Sequence, residues 1–282
     1  MPSLASFPRV MLPSGQRAWC LNASEARFVA QEMPGYFRHG ITLEPGPDGS
    51  PPVVLDVGAN VGLFMLYVQH LTAGHVRLYA FEPIPQTFAV LALNAADCGP
   101  GVTALNHALG REEGEVGFTH FPAVSAWSSA HRPESTAAAE RVRMTRGVTA
   151  AVDRGSVMPW LRVIPKPLRD WMVGRGVRRM SKREYVTCRV RTLSQVIHEQ
   201  GIGQIDLLKV DVEGAERDVF AGLSAAHWPL IRQIAVEVEQ FDTRGPEMVS
   251  LFRSHGFNDL HEDRDEIDHS VNTGMLVARR VT

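Results

Sequence analysis

Cysteine is scarce in this sequence. Cys20, Cys98 and Cys188 are odd in number and show no paired spacing, which argues against a disulfide framework or a zinc site and leaves them as ordinary reduced thiols. Long apolar runs are missing as well. None approaches membrane-spanning length, so no membrane partner is expected. The stretch from Met1 to Pro8 lacks a basic segment followed by an apolar core, so it does not read as a secretory signal, and the cytoplasm is the expected compartment. No aromatic-and-basic RNA motif appears, which disfavours nucleic acid as a partner. Net charge is nearly absent, −2 from 29 basic and 31 acidic residues, but the balance hides two opposite parts. Fifteen Lys and Arg stand against five Asp and Glu between residues 131 and 191, and the remainder is correspondingly acidic. With 282 residues and 44% hydrophobic content, the chain can build one large α/β domain with appendages.

What is present is concentrated in Val53-Val54-Leu55-Asp56-Val57-Gly58-Ala59-Asn60-Val61-Gly62. The β-branched run suits a central parallel strand, and Leu63 to Val68 begins a helix that packs back on the sheet. Gly58 and Gly62 are expected to bring backbone close to a ligand, and Asn60 between them tolerates a left-handed conformation. A dinucleotide fold would want Gly-x-Gly-x-x-Gly, which is missing here. A carboxylate, Asp56, precedes the first glycine instead, where a cationic ammonium group is better served than a phosphate. A second strand, Arg77 to Phe81, ends in Glu82-Pro83 and places an acid where both hydroxyls of a ribose can be accepted. Two acids without a phosphate clamp point to S-adenosylmethionine.

Four segments then carry a resemblance: Asp56 to Gly62, Phe81-Glu82-Pro83, Asn106-His107-Ala108-Leu109-Gly110, and Leu208-Lys209-Val210-Asp211-Val212-Glu213-Gly214-Ala215-Glu216. Together, and in this order, they resemble the FkbM-type methyltransferases from about Tyr36 to the C-terminus, apart from a long insertion. The resemblance implies a class I methyltransferase (Rossmann-like) fold, with a doubly wound, mostly parallel, seven-stranded sheet and a reversed final strand. It also implies S-adenosylmethionine-dependent methylation, most often of oxygen on natural products, polyketides or sugars. Strands are expected at about 53 to 57, 77 to 81, 102 to 106, 205 to 211, 232 to 239 and 273 to 280. Ligands in such a sheet sit outside the carboxyl ends of the strands.

On the fourth strand, period-two alternation puts Lys209, Asp211 and Glu213 on one side. Asp211 is the candidate for the reaction centre, because in this fold the fourth strand tip faces the methyl group. Lys209 either neutralises the acids, orients a substrate hydroxyl, or acts as a base if burial lowers its pKa; the plain alternative is an internal Lys–carboxylate pair. Asp211 with Glu237 and Glu239 of the fifth strand is a minority magnesium set, because Glu237-Val238-Glu239 does not reproduce the Asp-Asn of metal-dependent relatives. Direct acid–base catalysis without a metal is preferred. Asn106 and His107 are adenine-side candidates, and His120 is a weaker substrate-side one.

The N-terminal 50 residues read as an apron, with a hairpin at 9 to 21 around Pro13-Ser14-Gly15 and a helix capped by Ser24. Tyr36 and its neighbour Phe37 either roof the cofactor or pack the apron on the core. The core spans 51 to 282, interrupted at 122 to 186 by a basic insertion expected to form a helical lid, with Trp160 and Trp171 as apolar anchors and Arg175, Arg178 and Arg179 facing an acidic surface. The acceptor is either a small molecule or one tethered to a carrier protein. The competing class is a non-catalytic binding or scaffold module, which would have no use for Asp56, Glu82 and Asp211 at strand tips. The sequence carries no signal for oligomeric state.

Overall fold

The computed structural model describes residues 7–120, 129–130, 142, 145, 148–149, 152–153, 159–180, 184–264 and 272–281. The apron begins with an antiparallel hairpin of β1 (Arg9–Met11) and β2 (Arg17–Trp19), as expected around the Pro13-Ser14-Gly15 turn. Helix α1 (Ala23–Ala30) follows, but its cap is Asn22 rather than Ser24. The Asn22 side chain accepts the N–H groups of Ser24 and Glu25, and its extended backbone is that of an N-cap residue. A 3-10 turn at Met33–Phe37 ends the apron.

The core sheet contains β3 (Val53–Val57), β4 (Arg77–Phe81), β5 (Val102–Leu105), β10 (Leu207–Val210), β11 (Gln233–Glu239), β12 (Asp259–Arg264) and β13 (Thr273–Arg279). Their order is β12-β13-β11-β10-β3-β4-β5. Only β13 is reversed: it pairs antiparallel with both β11 and β12, while the β11-β10-β3-β4-β5 run is parallel. The helices α2 (Leu63–Leu71), α3 (Pro85–Cys98), α5 (Leu193–Glu199), α6 (Glu216–Ala221) and α7 (Phe241–Ser254) provide the crossovers. The central strands read Val-Val-Leu and Leu-Leu because they are buried on both faces. One apolar layer, with Phe220, Trp228 and Phe252, covers one face; α2 and the apron cover the other, so two cores sandwich the sheet.

Two features depart from the expected strands. β12 reads Asp-Leu-His-Glu-Asp-Arg, too polar for an apolar pattern to reveal, as suits an edge strand. A second sheet, β6-β9-β7-β8, stands beside the core: β6 (Ala108–Leu109), β7 (Gly114–His120), β8 (Ser129–Ala130) and β9 (Glu184–Arg191). The β7–β9 ladder is antiparallel and ends at the His120–Glu184 pair, where the insertion begins and returns. Within the insertion the described residues include a 3-10 turn at Pro159–Val163 and helix α4 (Lys166–Met180). They form a small apolar core of Val152, Leu161, Val173 and Val177. Most of 121–158, the side chains of Arg178 and Arg179, and residues 181–183 lie outside the described set, and the lid expected over 122 to 186 falls largely there. No helix among the described residues is long and apolar enough to cross a membrane.

Candidate active site

The turn after β3 is built by hydrogen bonds to the neighbouring strand tip. Gly58 and Ala59 both donate their N–H to the Phe81 carbonyl, at 3.1 and 2.9 Å, and Gly62 donates to the Ala59 carbonyl. Asn60 is left-handed at φ +51, as its side chain type predicts. The glycines also make room inside the protein. A Cβ on Gly58 would lie 1.8 Å from the Asp211 backbone oxygen, and one on Gly62 would lie 2.7 Å from Leu91 Cδ1. It is the protein's own β10 exit and α3 that come close at these glycines, whatever a ligand does.

Glu82 sits at the β4 tip, buried. One carboxylate oxygen accepts the Asn60 N–H at 3.1 Å and the other the Ile84 N–H at 2.9 Å, so this acid ties the glycine turn to the next crossover. Burial pushes its pKa up to about 7 against those two backbone donors. Asn106 donates to the Glu82 and Pro83 carbonyls, at 2.8 and 3.0 Å, and thereby braces the same turn. His107 is buried against Phe81, and its Nε2 has no hydrogen-bond partner. Burial, with Arg191 and Arg189 nearby, lowers its pKa to about 4, so the ring is neutral.

Around Lys209 the charges are dense. Its Nζ lies 3.1 Å from Asp56 Oδ1 and 3.6 Å from Asp211 Oδ2, and it donates to the Gly58 carbonyl at 3.0 Å. Asp56 is completely buried, with neither oxygen in a well-aligned hydrogen bond, and burial raises its pKa against the pull of Lys209. For Lys209, burial is outweighed by the carboxylates of Asp56, Asp211 and Glu237, and its pKa is raised. The lowered pKa that a lysine base requires is therefore not met; Lys209 is an ammonium inside an internal pair. Tyr36 is buried edge-on against Phe64, and its hydroxyl donates to Asp211 Oδ2 at 3.1 Å. That ring packs the apron onto the core.

Beyond Asp211 the chain leaves the strand path. Glu213 is left-handed at φ +53 and half-buried, so it occupies a turn rather than continuing the alternation. Its pKa is raised well above the carboxylate range by burial and by Asp211, Glu239 and Glu237. Glu237 is raised to about 8 by the Asp211 charge and by burial. Among the described residues no group of three or more His, Cys, Asp or Glu side chains is disposed to hold a metal ion. His120 is buried at the end of β7, at the root of the insertion, with its pKa lowered by burial.

Sequence reasoning missed two supports of this turn. Glu216, buried, accepts the Gly214 N–H, and Arg244 donates to the Gly214 carbonyl at 2.9 Å while lying 3.9 Å from Glu216. Glu216 closes the fourth quoted segment and was within reach. Arg244 has no local signal.

A sheet with this order and one reversed strand, a glycine turn after the first core strand and acids at the next tips define a class I methyltransferase. Residues 56–258 match the Methyltransferase FkbM domain, and the chain belongs to that family. It is 36% identical over 272 residues to the 31-O-demethyl-FK506 methyltransferase FkbM of Streptomyces tacrolimicus, covering 95% of each chain. It is also 36% identical over 260 residues to the AMB antimetabolite synthetase AmbE of Pseudomonas aeruginosa, matching 89% of this chain but 12% of that protein. Methyltransferase sdnD of Sordaria araneosa is 32% identical over 93% of each chain. The cofactor of this family and fold is S-adenosylmethionine, and the residues present fit it. A buried carboxylate at the β4 tip is bonded to the glycine turn, and the unpartnered Nε2 of buried His107 follows the next strand.

Proposed function

We propose that the chain methylates a hydroxyl of a natural product, derived from a polyketide, peptide or sugar, with the acceptor free or tethered to a carrier protein. The observation that carries this reading is Asp211, which follows β10 directly beside the glycine turn, accepts the Tyr36 hydroxyl at 3.1 Å and lies 3.6 Å from Lys209 Nζ. The bound cofactor supplies an electrophilic methyl on a sulfonium. The chain has to orient the two reactants and take up one proton.

Each carboxylate oxygen of Glu82 retains a lone pair beyond its backbone bond, and these would accept the ribose hydroxyls. The turn from Gly58 to Gly62 would border the methionine end, and Pro83, Asn106 and His107 the adenine. Asp56 is too buried to touch the ligand and acts by holding Lys209. Asp211, which accepts the Tyr36 hydroxyl and lies 3.6 Å from Lys209 Nζ, orients the acceptor hydroxyl. Asp211 also takes up the hydroxyl proton, since Glu213, its pKa raised by burial and the neighbouring acids, holds a proton of its own. Two names among the relatives, a 31-O-demethyl-FK506 methyltransferase and an antimetabolite synthetase, support a natural-product acceptor. The match to a 12% stretch of the synthetase supports a tethered one.

Untargeted comparison of metabolites with and without the gene tests the reading, through a mass difference of one methyl group. In the purified enzyme Asp211→Asn should lower turnover more than cofactor affinity, and wild-type turnover in that variant would remove Asp211 from the reaction. Magnesium dependence should be weak; activity abolished by chelator and restored by metal would instead implicate the carboxylate cluster as a metal site.

A further inference from the structure

Ten large apolar side chains are exposed among the described residues, and four of them fall between Trp160 and Trp171. Trp160 is 55% exposed, Val163 86%, Leu168 51% and Trp171 56%, so these apolar side chains face outward. On α4 the spacing of Leu168, Trp171 and Arg175 places them on one face, with the Arg175 guanidinium 5.8 Å from the Trp171 ring centroid. The opposite face is already used: Val173 and Val177 fill the insertion's own core, and Arg169 is paired with Asp153 at 2.9 Å. Arg162 and Lys166 are exposed in the same stretch of chain, and Asp170 is the one acid from 159 to 180. An apolar face with an excess of cations among the described residues suits a partner that is acidic and has something apolar to bury.

The root of the insertion indicates which partner. β9 passes the cofactor end of the sheet two residues after Cys188, where Val190 and Arg191 pair with Ala108 and Leu109, just past the Asn106 amide that donates to the Glu82 carbonyl. From Cys188 the strand runs four residues to Glu184, at the His120–Glu184 end of the ladder, a length of about 13 Å at the rise of a β-strand. The basic face is thus carried on a stalk that starts beside the cofactor turn. A protein docked on that face can deliver a tethered group to the strand tips, which a bilayer has no reason to do.

We propose that the face formed by Trp160, Val163, Leu168, Trp171 and Arg175, with Arg162 and Lys166, docks the acidic helical surface of a carrier domain whose phosphopantetheine arm presents the acceptor. This rests on the tethered-acceptor reading of the function. The probe is a strongly acidic, phosphopantetheinylated acyl carrier domain added to the full chain at low ionic strength, with binding followed by tryptophan fluorescence and hydrogen exchange. Wild type should bind it, with protection centred on α4. Reversing Arg162, Lys166 and Arg175 to Glu should weaken binding about tenfold or more, as should physiological salt, with S-adenosylmethionine affinity unchanged by calorimetry. A second variant, Trp171→Ala, should weaken binding without altering its salt dependence. No carrier binding by wild type, equal binding by the triple variant, or protection elsewhere would each overturn the proposal. So would binding confined to vesicles of equimolar phosphatidylcholine and phosphatidylglycerol, which would make the face a membrane contact. The assay needs no turnover. A chain that docks the carrier but produces no methyl mass difference would sink the methylation reading alone.

Discussion

Lys209 and Asp56 stand directly opposite each other in the parallel β10–β3 ladder, side chains on the same face and 3.1 Å apart at their charged ends, with Lys209 almost and Asp56 wholly out of solvent. Taking away one partner of such a pair leaves the other buried and uncompensated. Lys209→Met should therefore cost about 3–5 kcal/mol of stability. The double variant Asp56→Asn/Lys209→Met should cost clearly less than the sum of the singles. Urea unfolding followed by circular dichroism and fluorescence gives the comparison, and additive losses would mean that the two residues do not act as a unit.

Raised carboxylates make the pH profile of stability run against the common pattern. Burial holds Glu82 and Glu216 at about 7, and the Asp211 charge with burial holds Glu237 at about 8. In the unfolded chain these groups release their protons near 4.3, the ordinary value of about a glutamate side chain. Between the two values the folded chain binds more protons than the unfolded one, so stability falls as pH rises through this window and levels off above it. Carboxylates pulled down by their partners, such as Asp259 beside Arg279, titrate below the window. The unfolding free energy from urea titrations between about pH 5 and pH 8.5 should decline by an amount on the order of a few kcal/mol. Glu216→Gln, which mimics the protonated acid, should flatten the decline; an unchanged slope would discount Glu216.

Glu82→Ala removes the acceptor assigned to the ribose hydroxyls. It should weaken S-adenosylmethionine binding by about 1.5 to 3 kcal/mol, the value of hydrogen bonds to a charged group. It also strips the Asn60 and Ile84 N–H groups of their acceptor, so thermal stability should fall in the same variant. Calorimetry reads the first effect and a melting curve the second. Unchanged affinity in a folded variant would take Glu82 out of the cofactor site.

Gly58→Ala should unfold the chain or cost about 3 kcal/mol or more, because the new Cβ meets the Asp211 backbone oxygen and φ is +77. Gly62→Ala also suffers a positive φ, but its new contacts are the ends of Leu91 and Met65, which can give way, so its loss should be smaller. Expression and denaturant midpoints of the two variants decide the ranking. A reversed ranking would show that the β10 exit yields more readily than the α3 packing.

The strands of the parallel core, the turn between β3 and α2, and the acids at the strand tips were legible in the sequence because local pattern controls them. A β-branched run buried on both faces, an Asn between two glycines and a carboxylate at a strand end carry their own signals. The apron hairpin was legible for the same reason, since its turn is written in Pro13, Ser14 and Gly15. Alternation also put Lys209 and Asp211 together, but it could not tell a base from an ammonium, because the pKa of Lys209 depends on Asp56 across the ladder and on Glu237 from another strand. The edge strand β12 escaped because an edge tolerates charged residues, and the β6-β9-β7-β8 sheet escaped because its pairing spans the whole insertion. Tertiary structure alone decided that Gly58 makes room for Asp211, that Tyr36 is held by Asp211, and that Arg244 clamps the Gly214 turn. Each of these contacts joins residues distant in the chain, where no local periodicity reaches.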